Sequence, residues 1–174
     1  EDGAHPTISN THITGCHGGG LTVSGAGTKG RITDCHIHAN LGREVFVTEG
    51  ASPALERNRI HAGPQGAGHG IVVAQGASGV FVDNILSDFS SHCILLREQA
   101  QALFLTNTIR YGPAFGVLVY DRGSGTFERN VFEGAEEGRC FTVHSHGVPT
   151  CVDNRFESTA TAIAAAQPLD QSEP

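Results

Sequence analysis

Arg97, Glu98, Tyr120 and Asp121 are the residues of this 174-residue chain whose types and spacing best suit acid–base chemistry on a sugar. Cleaving or eliminating a glycosidic bond needs two carboxylates, or a carboxylate with Lys or Arg, converging on one bond. A wider ladder of the same kind holds Glu49, Gln75, Glu98 and Asp121, followed by Arg122 and His146. Ten histidines are the second candidate set. His12 and His36, His38 and His61, and His69 and His92 are each one repeat length apart, which stacks the members of a pair about 5 Å from each other. No pair gains a third ligand with geometry fixed by the sequence, and Cys16 beside His17 is a lone weak pair, so no metal and no cofactor are expected. Ser145-His146 lacks the strand-to-helix elbow of a nucleophile. The glycines from Gly66 to Gly70 open no helix that would cradle phosphate.

These residues are positioned by a repeat. With Asn58 as anchor, Leu55 lies three before it, Ile60 two after, and the apolar pair Ile71 and Val73 about thirteen on. The same grid covers Phe81, Asn84, Leu86, Ile94 and Leu96; Phe104, Asn107, Ile109, Val117 and Val119; and Phe127, Asn130, Phe132, Phe141 and Val143. Cys35 and Thr11 take the anchor place upstream, and Asn154 downstream. Anchors separated by 23 to 26 residues mark a solenoid. Leucine-rich repeats share the period but need a leucine-dense signature and a helical segment, and neither is present. The short runs alternate at period two between Gly, Ser, Asn and Pro, as strands and turns do. One repeat is therefore one coil of a parallel β-helix: an all-β solenoid of about seven coils, three short strands each. Stacking coils about 4.8 Å apart turns repeated positions into columns, and the apolar ones into a continuous core. Asn is expected at the corner because it tolerates the left-handed region and because stacked amides bond along the axis.

The string from Gly50 to His61, with the Gly-Ile-Val-Val segment and Gly-x-x-Gly spacing after it, resembles the right-handed parallel β-helix repeats of the pectate-lyase-like superfamily. Within that group it looks most like the non-enzymatic repeats of the β-helix F-box substrate receptors. The resemblance covers roughly residues 6 to 158 and implies a recognition module belonging to a larger protein. In the polysaccharide-acting members, it also implies, the catalytic groups stand on the outer face of the strand that here contains Ile71 to Val73. The outward residues there read Thr22, Phe46, Val72, Leu95, Leu118, Thr142 and Ala164, none of which ionises.

That column predicts an apolar ribbon on a solvent face, and contiguous exposed apolar surface marks a partner site. Phe46, Val72, Leu95 and Leu118, with Arg97 and Tyr120 from the next column, are the expected partner-binding residues. The expected role is non-catalytic protein recognition or scaffolding, with self-association through the same face as a further expectation. The alternative is a carbohydrate-active enzyme or polysaccharide-binding protein using the acidic ladder. A formal charge of −7 and a single lysine, Lys29, argue against a nucleic-acid surface, and no apolar run is long enough to cross a membrane. Five cysteines at scattered positions read as free thiols and point to an intracellular, reducing compartment. Residues 1–166 are read as one β-helix domain and 167–174 as a tail. Ala62 to Gly68 is read as a protruding loop, and the whole as part of a longer protein.

Overall fold

The computed structural model describes residues 3–64, 68–111, 115–134 and 140–158. Every strand in it is short, three to six residues, because glycines and left-handed residues interrupt the chain at each corner. No single coil can bury its own apolar side chains, so each strand pairs in parallel with its counterparts one repeat before and after.

Three parallel sheets result. The first runs through Thr7–Ser9, Arg31–Thr33, Ala54–Glu56, Ser78–Val82, Gln101–Leu105, Ser124–Glu128 and Val148–Val152. The second runs through His12–Thr14, His36–His38, Arg59–His61, Ile85–Ser87, Thr108–Arg110, Val131–Gly134 and Arg155–Ser158. The third has six strands: Leu21–Ser24, Arg43–Thr48, His69–Val73, His92–Leu96, Phe115–Val119 and Phe141–Val143. The described chain thus makes six complete turns and two strands of a seventh, slightly fewer than the seven three-stranded coils expected. The loop around residues 65–67, Ala164 and the segment 167–174 lie outside the described residues.

The columns stand in the expected register. Ile8, Ile32, Leu55, Phe81, Phe104, Phe127 and Cys151 pair rung to rung, as do Ile13, Ile37, Ile60, Leu86, Ile109, Phe132 and Phe156. Identical rings one rung apart pack face to face: Phe81 on Phe104 at 4.6 Å and Phe104 on Phe127 at 4.9 Å between centroids. The core is buried from Ile32 to Phe132, whereas Cys151 and Phe156 of the last copy are exposed.

Of the two reasons expected to place Asn at its corner, the stacked amides hold and the left-handed backbone does not belong to Asn. The left-handed residue is the one before it: Asp34, Arg57, Asp83, Thr106, Arg129 and Asp153 have φ between 50° and 55°. The Asn side chain instead points inward and forms a continuous amide ladder. Asn107 Oδ1 accepts from the backbone N–H of Asn84 at 2.9 Å and from its Nδ2 at 3.0 Å, while Asn107 Nδ2 donates to the Phe81 carbonyl and to Asn130 Oδ1. Asn58, Asn84, Asn130 and Asn154 repeat the pattern, and Cys35 joins it through its backbone N–H to Asn58 Oδ1 and its Sγ to the Ile8 carbonyl. Each amide satisfies corner groups that would otherwise be buried without partners, a loss worth about 1–3 kcal/mol per group.

The corner after the third sheet uses two successive left-handed residues: Glu49-Gly50, Gln75-Gly76, Glu98-Gln99, Asp121-Arg122 and Ser145-His146. Glycine adopts that conformation without the Cβ clash, and Gln99 and Arg122 do not. Replacing Gln99, exposed with φ 61°, by glycine is expected to raise stability by about 1 kcal/mol. Asn107→Ala, which orphans the Asn84 N–H and the Phe81 carbonyl inside the corner, is expected to lower it by about 3 kcal/mol. Urea unfolding followed by circular dichroism measures both.

Candidate functional site

Alternation along each strand sends every second side chain outward, so the chemistry available to this molecule is written on three flat faces. On the third sheet the expected ribbon is in register: Phe46 pairs with Val72, Val72 with Leu95, and Leu95 with Leu118. It is not open to solvent along its length. Val72 is 1 % exposed and Leu95 7 %, although neither belongs to the interior core, while Phe46 and Leu118 are half-buried. The flanking columns close over the middle. Arg43 lays its guanidinium 3.9 Å above the Phe46 ring. His69 stacks on His92, and His92 on Phe115. Burial, then the charges of Arg43 and Arg97, hold the His69 imidazole below its usual pKa. The expectation of a solvent-facing ribbon is therefore corrected: a short column of apolar residues wedged between long cationic and aromatic neighbours becomes a second, external packing layer.

Arg97 and Tyr120 flank this layer, half-buried as the next column requires. Arg97 ion-pairs with the adjacent Glu98 at 2.9 Å, and its Nε is buried without a partner. Glu98 and Asp121 belong to the left-handed corner, where the Glu98 carbonyl accepts from Gly76 N–H and that of Asp121 from Gln99 N–H. Their carboxylates lie beside Arg97 and Arg122 on their own coils, at 2.9 and 3.9 Å. The ladder is a turn with its charges offset in place.

The same holds elsewhere. Arg31 meets Glu56 at 2.8 Å, Arg57 meets Asp34 at 2.8 Å, and Arg110 meets Glu133 at 2.6 Å, each across neighbouring rungs. The Arg57 guanidinium beside Asp34 and the Arg31 guanidinium beside Glu56 hold these carboxyls below their usual range. Such acids are fixed in the ionised form and are poorly suited to deliver a proton.

The first sheet presents the open surface. Val80 lies beside Leu103 and Val82 beside Leu105, all outward. Val80 is 39 % exposed and Val148, at the end of the sheet, 66 %. A shallow groove of about 370 Å³ runs along it, lined on one side by Ser78, Gln101 and Ser124 and on the other by Val80, Leu103 and Thr126. No carboxylate lines it. The sequence carried the signal in the outward positions flanking Phe81 and Phe104, which the search for ionisable columns passed over.

The second sheet gathers the histidines. His12, His36 and His38 each offer a ring nitrogen within 4.8 Å of the others, and His36 Nε2 lies 2.7 Å from His61 Nε2. The sequence pairs His12 with His36 and His38 with His61. It misses that His36-x-His38 on one strand puts both columns on one face. Burial first, then His38, His61, His12 and Arg59, push the His36 imidazole down to about 4.

A family model describing a right-handed β-helix region matches residues 1–165. The chain belongs to the right-handed β-helix family. Comparison with curated proteins and with solved structures returns no match. The family match carries the fold and does not extend to the F-box substrate receptors. In this β-helix the five cysteines are unpaired; Cys93 and Cys140 stand two rungs apart with Gly116 between them, as their strand register requires. Among the described residues no helix is long and apolar enough to cross a membrane.

The histidine face sets a pH dependence. An unfolded His36 binds a proton near 6.5 and the folded one only near 4, so across that window acid favours the unfolded chain. Stability measured by urea unfolding with a chelator present is expected to fall as pH drops from 6.5 toward 4. The His36→Gln variant is expected to show a shallower slope over the same range.

Proposed function

We propose that this β-helix is a non-catalytic recognition scaffold, and that its partner is a protein lying along the open face of the first sheet. The observation that carries the reading is the row Val80, Val82, Leu103 and Leu105, outward on adjacent rungs beside a groove with no carboxylate. A rigid sheet with apolar residues at its centre and hydroxyl and amide groups along one side offers what a protein interface uses: desolvation at the core and hydrogen bonds at the rim. It lacks an aromatic platform or an acid pair for a sugar. The partly covered third-sheet ribbon, from Phe46 to Leu118 with Arg97 and Tyr120, serves in this reading as a secondary contact.

Two finer points belong to the same proposal. The module acts as the recognition part of a larger protein, a reading that rests on the likeness of its repeat to the β-helix F-box receptors. It works in a reducing compartment, consistent with five unpaired cysteines.

The test combines binding and turnover. Proximity labelling in cells, with hits re-tested as purified proteins, is expected to yield a direct partner whose binding drops at least tenfold, about 1.4 kcal/mol, for Val80→Asp/Leu103→Asp. Phe46→Asp/Leu118→Asp is expected to lose less. Release of reducing ends or unsaturated sugars from a polysaccharide panel, abolished by Glu98→Gln/Asp121→Asn, would overturn the proposal in favour of a carbohydrate-active enzyme.

A further inference from the structure

We propose that His12, His36, His38 and His61 on the outer face of the second sheet form a binding site for one divalent, imidazole-preferring transition-metal ion, of which zinc is the type. The inference rests on four rings that the coil geometry holds together. His12 and His36 pair on adjacent rungs, as do His38 and His61. The two columns flank the inward residues Ile13, Ile37 and Ile60, so all four rings share one face. Ring centroids lie 5.1 Å apart for His12 and His36, 4.1 Å for His36 and His38, and 5.1 Å for His38 and His61.

The ligand atoms are near their places. Nitrogens of His12, His36 and His38 all fall within 4.8 Å of one another, and zinc–nitrogen bonds of about 2.0–2.1 Å require the nitrogens of a tetrahedral site to stand about 3.4 Å apart. Rotation of partly exposed rings covers the difference. His61 is already oriented: a ring nitrogen 2.7 Å from the Ala62 carbonyl can only donate to it, which places the proton on Nδ1 and leaves the Nε2 lone pair directed at His36 Nε2, 2.7 Å away. A ligating histidine whose other nitrogen donates to a backbone carbonyl is the usual outer-shell arrangement of a metal site.

The donor set selects the class of ion. Four imidazoles and no carboxylate suit zinc, copper or nickel, and offer nothing to calcium or magnesium. One neighbouring charge acts against the site: Arg59 occupies the rung after His36 and opposes a cation. A bound ion would tie the first three coils together on one face. That is where a tie has most effect, since Ile8 and Ile13 of the first coil are only partly buried.

Purified protein stripped with chelator and titrated with Zn²⁺ in a calorimeter is expected to bind one equivalent and to melt at a higher temperature. Co²⁺ substitution is expected to give the visible absorption of a tetrahedral nitrogen site. His12→Gln, at an exposed position that leaves the core untouched, and His36→Gln are each expected to weaken binding at least tenfold. Arg59→Gln should tighten it, and His69→Gln/His92→Gln should leave it unchanged. Hydrogen exchange at Thr7–Ser9, His12–Thr14 and Leu21–Ser24 is expected to slow on zinc addition. Absence of saturable binding, or binding that survives in the His12→Gln/His36→Gln/His38→Gln protein while circular dichroism shows it folded, overturns the proposal.

Discussion

The Asn amide ladder is the constraint on which the remaining architecture depends. From Asn58 to Asn130 each side chain closes hydrogen bonds with the coil before and the coil after. A residue added between an anchor and its strands would break those bonds inside a buried corner. Extra length must therefore be absorbed elsewhere. The step from Asn58 to Asn84 is 26 residues against 23 for the next two, and the additional residues fall on the long connection between the second and third sheets, away from the ladder.

Strict stacking has an electrostatic consequence. A repeated position that carries a charge would place like charges about 4.8 Å apart along the column, so acids and bases alternate between rungs or sit beside each other on one rung. Arg57 over Asp34 and Arg110 beside Glu133 are examples of the first arrangement, and Arg97 with Glu98 of the second. Histidine escapes the rule by staying neutral. His36, His38, His69 and His92 all have their imidazoles held below the usual range, burial being the largest cause in each. Only uncharged rings can stack as His69 on His92 and His92 on Phe115 do at little cost.

Period and side-chain class were legible in the sequence because they follow from local rules. Alternation at period two assigned the inward columns, and the anchor spacing assigned which residues would meet. The function of the anchor was only half legible. Asn suits both a left-handed corner and a ladder, and the sequence cannot separate a residue from its neighbour: the left-handed residue proved to be Arg57, Asp83 or Thr106, one before the amide. Exposure was less legible still. The side of the sheet on which Val72 lies follows from parity, but its burial depends on how the neighbouring side chains fold over it, which no spacing rule specifies. The histidine cluster needed two columns to be considered together, a step that the reading by single columns did not take.

Catalysis asks for groups that break symmetry, an acid and a base in different protonation states facing one bond. A solenoid with identical corners tends to erase such differences, because each coil offers the next the same environment. In this chain several acids sit against arginines of a neighbouring rung, as Asp34 does with Arg57, Glu56 with Arg31 and Glu133 with Arg110. The departures from the repeat occur in two places. On the first sheet, Ala54 gives way to Val80 and Leu103 and then to Thr126 and Thr150, so in this column apolar bulk is confined to the central rungs. On the second, histidines give way to Arg59 and Ile85 in one column and to Ser87 in the other. Function on a repetitive scaffold is carried by such local departures, and the recognition face and the metal site proposed above each sit at one of them.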